Sequence, residues 1–314
     1  MRKFIYAALG MILIGIIGVA MILLSTDLLD FEKTDAQKKT ADSQGISEIQ
    51  VDAGSLDVTV EKTTGRTLTA EIQGWGNGQM TRRTKLEMQR HGQALHILAD
   101  QNPQFFAFSF GWKKLAVKVP AQLYQSITVH SGSGDVSVQS LRANDLSVTT
   151  NSGDITAENN QAPGNFTAKA SSGDIVLKQT RAVDQVSVTT RSGDIDLTGL
   201  VAGHSYVNAS SGDITVRNFS GDLSSRADAG DLVLKSERLS GNLSAEASSG
   251  DVIIGFNQDP DSLTLDYRGR SGEGIVMTKG LLYKEKLEDL IIGRKGNGKY
   301  HIKVRTNSGD FVLR

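Results

Sequence analysis

Apolar and polar residues alternate in short runs along most of the chain, and one such run recurs about every 20 residues. A Gly-Asp pair is the fixed point of each run. The seven regularly spaced Asp residues are Asp135, Asp154, Asp174, Asp194, Asp213, Asp231 and Asp251, and a further copy ends at Asp310. Alternation with period two predicts strands with one buried face. Each copy therefore predicts a strand, a tight Gly-Asp corner, a second strand and a second turn.

The residues around each Asp keep the same register. Positions eight and six before it are mostly apolar, as in Ile127 and Val129, and the position four before it is always small. The Gly supplies a backbone conformation that other residues resist, and we expect the Asp to hydrogen bond the backbone of its own turn. A 20-residue unit cannot bury its apolar face alone, but stacked units can. The pattern predicts an all-β fold, a right-handed parallel β-solenoid with about 20 residues per coil.

The period is interrupted near both ends of the repeat. The stretch 49-IQVDAGSLDVTV-60 keeps the register once and predicts a first coil. Residues 67–120 alternate without the repeat, with a hairpin expected at His91-Gly92-Gln93, and they predict an N-terminal antiparallel β layer over the open sheet edge. The repeat coils occupy 121–314, in which 281-LLYKEKLEDLII-292 breaks the period and predicts a short helix or an irregular cap.

The N-terminus predicts a membrane anchor. Phe4 to Leu24 is an uncharged run of 21 residues, preceded by basic and followed by acidic residues, which is long enough to span a bilayer with its N-terminus in the cytoplasm. We expect residues 1–30 to form the cytoplasmic N-terminus and a single-pass transmembrane signal anchor held by membrane lipid. Residues 31–44 would be a linker, and 45–314 an extracytoplasmic domain. A cleaved signal peptide is the alternative, although its apolar region is normally shorter and ends in a small-x-small site.

Composition narrows the chemistry. The net charge is −1 with no basic block, so no nucleic acid is expected as a partner. The absence of cysteine excludes disulfides, a thiolate nucleophile and the common structural zinc sites. The five histidines are scattered without metal-ligand spacing; they are His91, His96, His130, His204 and His301. No catalytic, cofactor-binding or metal-ligating set is predicted.

The Asp residues at the corners could stack in one column. Two carboxylates ~4.8 Å apart repel by about 0.9 kcal/mol in water and by about 3.5 kcal/mol at an effective dielectric of 20. Solvated carboxylates that accept turn N–H bonds would relieve this repulsion, and this structural role is the favoured interpretation. The alternative is a cation such as Ca²⁺ that bridges coils, which would need six to eight oxygen ligands.

The aromatic run 105-FFAFSFGW-112 is the other candidate site. Alternation places Phe106, Phe108, Phe110 and Trp112 on one strand face. They would either pack the N-terminal layer onto the solenoid or form an exposed patch that contacts a membrane surface or a partner protein. Two lysines follow directly and would suit anionic headgroups.

These features resemble the bacterial "putative adhesin" domain family of unknown function, of the type found in LiaG-like membrane-anchored β-solenoid proteins. The resemblance rests on 115-LAVKVP-120, 127-ITVHSGSGDVSV-138, the repeated SGD corner and 296-GNGKYHIKVRTNSGDFVL-313, and it covers roughly residues 45–314. It implies a place in the bacterial cell envelope and a link to envelope stress. It supplies no catalytic motif.

Three functions follow as hypotheses. The first is a non-catalytic interaction or scaffold protein, anchored in the cell membrane, that binds an envelope protein. The second is an adhesin-like module that binds a cell-wall polymer. The third, less favoured, is a glycan-cleaving enzyme, which would need two carboxylates across a cleft. Exposed aromatics on a solenoid flank would favour a glycan, and an apolar patch confined to one end would favour a protein partner.

Overall fold

A computed structural model describes residues 11–17, 31–33, 37–77, 84–101 and 111–314 of the chain. Residues 11–17 are helical. All other regular structure in the described residues is β. The strands are, in chain order, β1 (Phe31–Lys33), β2 (Lys38–Asp42), β3 (Glu48–Asp52), β4 (Asp57–Thr63), β5 (Thr67–Asn77), β6 (Thr84–His91), β7 (Ala94–Gln101), β8 (Gly111–Pro120), β9 (Tyr124–Ser131), β10 (Val136–Gln139), β11 (Ala143–Thr150), β12 (Ile155–Glu158), β13 (Gln161–Ala162), β14 (Asn165–Ser172), β15 (Ile175–Lys178), β16 (Arg181–Ala182), β17 (Gln185–Ser192), β18 (Ile195–Thr198), β19 (Val201–Ser211), β20 (Ile214–Arg217), β21 (Ser220–Ala229), β22 (Leu232–Ser236), β23 (Leu243–Ser249), β24 (Val252–Phe256), β25 (Leu263–Ser271), β26 (Gly274–Val276), β27 (Leu282–Lys286), β28 (Leu290–Lys295), β29 (Tyr300–Ser308) and β30 (Phe311–Leu313).

The described strands form two large sheets. In sheet A the order is β1-β5-β8-β4-β10-β12-β15-β18-β20-β22-β24-β30-β26, with β2 also paired to β5. In sheet B the order is β27-β28-β25-β29-β23-β21-β19-β17-β14-β11-β9-β3-β7-β6, with β13 and β16 beside this path. The chain passes between the two sheets in each coil, and successive coils pair in parallel, as the repeat predicts.

Identical positions of successive coils stack directly on one another. Ile155, Ile175, Ile195 and Ile214 are register partners in sheet A, and each is at most 1% exposed. Positions eight and six before the corner Asp fill the other side of the same core, as in Phe166. This stacking explains why the spacing is regular: a one-residue slip would turn every apolar side chain outward.

The corner requires glycine for two reasons. Gly212 has φ +135°, a conformation that side-chain-bearing residues rarely adopt. A Cβ on Gly212 would also lie 2.0 Å from the carbonyl oxygen of Gly193 in the preceding coil. The close approach allows the Gly212 N–H to donate to the carbonyl of Ala229 in the next coil at 2.9 Å. The glycine is therefore what lets the coils stack tightly at the corner.

A second turn lies five residues after the corner Asp, where the chain leaves sheet A. The residue there adopts a left-handed conformation in five consecutive coils. These residues are Ser140, Asn159, Gln179, Gly199 and Asn218. Asn and Gly tolerate positive φ at low cost, so Asn159, Gly199 and Asn218 at this recurring position are a second turn signal in the sequence.

At the N-terminal end, the structure places the hairpin where the sequence predicts it. β6 and β7 pair antiparallel around Gly92 and Gln93. The strands of 67–120 extend the two sheets, however, and do not lie over the edge as a separate layer. β7 pairs in parallel with β3, and β8 pairs in parallel with β4, while β5 and β6 add antiparallel strands outside them. Both sheets therefore change from parallel to antiparallel pairing near this end.

At the C-terminal end, the prediction of a short helix or an irregular cap over 281–292 is wrong. β27 and β28 form an antiparallel hairpin, and β28 pairs antiparallel with β25. The last coil of the chain, β29 and β30, lies between the coil of β23 and β24 and the coil of β25 and β26. The outermost coil has Glu273 where the others have Asp, in 271-SGEGIV-276.

The predicted anchor lies largely outside the described residues. Only residues 11–17 of the 1–30 segment are described, and they are helical and exposed. In the parts of the chain that the structure describes, no helix combines the length and the apolar character that a membrane span needs.

Candidate binding surfaces

The corner Asp residues form a continuous hydrogen-bonded ladder. The Oδ1 of each Asp accepts the backbone N–H of the corresponding Asp in the next coil, as Asp194 does from Asp213 at 2.8 Å. The ladder runs from Asp57 through Asp135 and the six that follow to Asp310. Asp310 then accepts the N–H of Glu273 at 2.8 Å. The carboxylates thus accept hydrogen bonds from the backbone of the next coil. The prediction that each Asp bonds the backbone of its own turn is wrong.

This geometry gives the ladder a structural role. One oxygen of each carboxylate is used by the neighbouring coil, and all of these Asp residues are exposed to solvent. Within the described ranges, no three His, Asp or Glu side chains come together as a metal site would require.

Trp112, the described member of the predicted aromatic patch, lies in β8 at the N-terminal edge of sheet A. Its side chain is 56% exposed, and Trp112 is the register partner of Trp75 on β5, which is 45% exposed. Strand β1 pairs with β5 at this same point, with Lys33 opposite Trp75. Phe106, Phe108 and Phe110 lie outside the described residues.

Lys113, beside Trp112, points in the opposite direction. Its side chain is buried and its Nζ donates to Thr84 Oγ1 at 2.8 Å. Burial lowers the pKa of Lys113 to about 8. Lys113 is therefore a core residue of this end and cannot meet anionic headgroups; Lys114, the next residue, is half-buried.

The C-terminal end also exposes apolar side chains. Leu282 is 77% exposed on the edge strand β27, and Leu287 and Met277 are exposed nearby in the chain. Ile275 on the edge strand β26 adds to them. Exposed apolar groups on a sheet edge favour contact with another protein. The periodicity gives no signal for this surface, because residues 281–292 interrupt the repeat.

A groove of about 290 Å³ lies on the outer face of sheet B, across β19, β21, β23 and β29. Its floor is formed by two small residues, Ser224 and Ser244. Tyr206, which is 50% exposed, borders the floor on one side, and the exposed Lys303 borders it on the other. Since the four strands are successive, Tyr206 and Lys303 stand three strand spacings apart, or ~14 Å.

Polar side chains follow one rim of the groove. Asp222 Oδ2 lies 3.6 Å from Nδ1 of His204. Asp222 Oδ1 accepts the N–H of Asn242 at 2.8 Å, and Asn242 Oδ1 accepts the N–H of His301 at 3.0 Å. These bonds align four polar side chains at successive strand spacings while leaving Asp222 Oδ2 and both imidazole rings near the surface. Tyr206 was the available sequence signal, because the equivalent position in the other six regularly spaced coils holds Ser or Thr.

The carboxyl groups with shifted pKa in the described chain are poor candidates for acid catalysis. Hydrogen bonding and charge from Lys85 hold the pKa of Glu87 below its ordinary value. Burial alone would raise the pKa of Asp266, but hydrogen bonds from Arg305 and Arg268 outweigh burial and lower it. A general acid requires a shift in the opposite direction.

Comparison with known proteins places this geometry in context. A family model described as Toastrack DUF4097 matches residues 46–314. No match was found among the curated proteins.

Solved structures share the fold at low identity. A protein from Parabacteroides distasonis ATCC 8503, described as a "putative lipid binding protein", has a TM-score of 0.51 at 13% identity and covers 89% of this chain and 97% of its own. A "putative adhesin" from Bacteroides fragilis NCTC 9343 has a TM-score of 0.46 at 12% identity over the same shares. At 13% identity, the likeness to the Parabacteroides distasonis structure shows the fold alone.

Proposed function

Since the chain belongs to the Toastrack DUF4097 family, whose model matches residues 46–314, we propose that it is a membrane-anchored, extracytoplasmic interaction protein of the bacterial cell envelope. The apolar run from Phe4 to Leu24 supports the anchor and the single-pass orientation. The link to envelope stress follows the resemblance to LiaG-like proteins. The protein acts by non-covalent binding and not by catalysis.

One observation carries the interaction role: several large apolar side chains at the C-terminal end of the solenoid, on and around the edge strand β27, are exposed to solvent. Leu282, Leu287 and Met277 are all at least 60% exposed. Edge strands with exposed apolar residues normally carry protective charge, and on β27 this charge comes from Lys284, Glu285 and Lys286. Exposed apolar side chains beside these charges suit a specific protein partner that covers the edge and carries complementary charge.

The experiment has two parts. First, cells producing the full chain with a C-terminal tag are fractionated, and intact spheroplasts are treated with protease. We expect the chain in the membrane fraction and loss of the tag. A tag that is protected from external protease would contradict the extracytoplasmic location.

Second, a photo-crosslinking amino acid is placed at position 282, with position 183 on the flank as the matched control. Val183 is also exposed, at 69%, but lies far from the edge strands. We expect discrete crosslinked products from position 282 and none from 183. Equal products from both positions would remove the support for a partner at this end.

A second candidate function is the binding of a cell-wall polymer. Tyr206 favours it, because an exposed aromatic ring on the flank of a solenoid can stack on a sugar ring and is surrounded here by hydrogen-bonding groups. The two functions use different surfaces and are compatible in one molecule.

A further inference from the structure

We propose that the groove between Tyr206 and Lys303 binds a short segment of an anionic saccharide. This inference rests on the second candidate function and names the ligand class for that site. The sugar ring lies on the Tyr206 side, and the anionic substituent, a carboxylate or a phosphate, lies on the Lys303 side.

The shape of the groove is set by the size of its four outward residues. Tyr206 and Lys303 are long, and Ser224 and Ser244 between them are short. These side chains make a trough two small residues wide, because Tyr206 replaces the Ser or Thr that the other six regularly spaced coils have at this position and Lys303 closes the far side. Its volume, about 290 Å³, is at the small end of the range for ligand pockets and fits one or two sugar rings.

The chemistry of the groove is suited to a molecule rich in hydroxyl groups. Asn242 Nδ2 donates to Asp222 Oδ2 at 3.5 Å, and the remaining lone pair of this oxygen can accept a hydroxyl hydrogen. The rings of His204 and His301 can donate or accept. The backbone bonds that hold Asp222 and Asn242 in place fix these groups before a ligand arrives. A pre-ordered site loses less entropy on binding.

The charges are separated along the groove. Asp222 belongs to the strand next to Tyr206, whereas Lys303 lies two strands further on. Asp266, the register partner of Lys303 on β25, is already held by Arg305 at 3.1 Å. An anionic substituent is therefore repelled from the Tyr206 side and attracted to the Lys303 side, which orients the ligand.

The test uses the full chain in detergent micelles and isothermal titration calorimetry with three oligosaccharides of equal length. One is neutral, one carries carboxylates and one carries phosphates, so the two sources of negative charge are compared directly. We expect tighter binding of at least one anionic form than of the neutral form, with weaker binding as salt screens Lys303. Equal affinity for all three, or no binding of any, would overturn the proposal.

Variants then assign the binding to the groove. Tyr206→Ala should weaken all binding by about tenfold or more, because it removes the phenol ring that lines the groove, and aromatic contacts often dominate a binding site. Lys303→Gln should remove only the preference for the anionic form. Ser224→Arg should block the trough, whereas Ser147→Arg, at the same register position four coils closer to the N-terminus, should bind like wild type.

The outcome is independent of the cellular location. A chain with a protected tag in spheroplasts would refute the proposed extracytoplasmic function and still bind the oligosaccharides in micelles. If Ser224→Arg and Ser147→Arg bind equally well, the groove is not the site even when the fractionation supports the outer location.

Discussion

Asp194 lies in the middle of the ladder, and two substitutions there separate its hydrogen bond from its charge. Its Oδ1 accepts the N–H of Asp213 at 2.8 Å, and its own N–H donates to Asp174 at 2.8 Å. Asp194→Ala removes the acceptor and the charge. Asp194→Asn removes the charge and keeps an oxygen that can accept the same bond.

The expected magnitudes follow from this geometry. A hydrogen bond to a charged group contributes about 1.5–3 kcal/mol, and the exposed position of Asp194 favours the lower part of that range. Repulsion from two neighbouring carboxylates ~4.8 Å away is about 0.9 kcal/mol each in water, and physiological salt roughly halves it. Asp194→Ala should therefore destabilise the protein by about 0.5–2 kcal/mol. Asp194→Asn should leave it unchanged or stabilise it by up to about 1 kcal/mol.

The assay is urea unfolding of the full chain in micelles, followed by circular dichroism, together with hydrogen exchange at the Asp213 amide. We expect faster exchange at that amide in Asp194→Ala and near-normal exchange in Asp194→Asn. In 1 M salt the advantage of Asp194→Asn should disappear, because the Debye length falls to about 3 Å.

Asp184 supplies the control, since it is exposed and lies outside the ladder. Its Ala and Asn variants should differ little from each other. If Asp194→Ala proves as stable as Asp194→Asn, the ladder bonds contribute nothing and the reasoning fails.

Three further outcomes are expected. Gly212→Ala should destabilise the chain by about 3 kcal/mol in urea unfolding, because the new Cβ meets a backbone oxygen of the preceding coil. Gly92→Ala, where the Cβ would point into open space, should cost about 1 kcal/mol, and equal losses in the two variants would contradict the clash at Gly212. The pKa of Lys113 is lowered to about 8 in the folded chain, so between pH 8 and 10 the unfolded chain binds more protons than the folded chain. The free energy of unfolding should therefore rise over that window in wild type relative to Lys113→Met, and parallel pH profiles would refute this. Added Ca²⁺ should leave the Tm unchanged, and a clear rise in Tm that Asp194→Asn removes would reinstate a cation at the ladder.

The repeating part of the fold could be predicted because it depends on local sequence. Period-two alternation and the Gly at each corner specify a strand, a turn and a strand within a single coil. The hairpin at Gly92 follows from the same local rules. The hydrogen-bond donor to each Asp carboxylate could not be predicted in this way, because it depends on how one coil is positioned against the next. That arrangement places the Asp213 N–H, and not a group of the Asp194 turn, within reach.

The ends of the solenoid were harder to predict because they depart from the repeat. The coil of β25 and β26 was overlooked because Glu273 replaces the corner Asp, although Leu265 and Tyr267 keep the apolar register before it. The run 281–292 contains charged residues at a spacing that also suits a helix, and pairing with β25 decides in favour of strands. Tertiary pairing thus outweighs local propensity at these edges.

The binding groove shows how a repetitive fold can carry a local site. Inward positions and the Gly-Asp corner are constrained in every coil by stacking, so only outward positions are free to vary. The change from Ser or Thr to Tyr206 in one coil is therefore sufficient to create a wall, and no backbone rearrangement is required. The stacking of the coils also fixes the distance between the Tyr206 coil and the edge strand β1. In sheet A, β20 is the strand that follows Tyr206 in the same coil, and eight strand steps, or ~38 Å, separate it from β1.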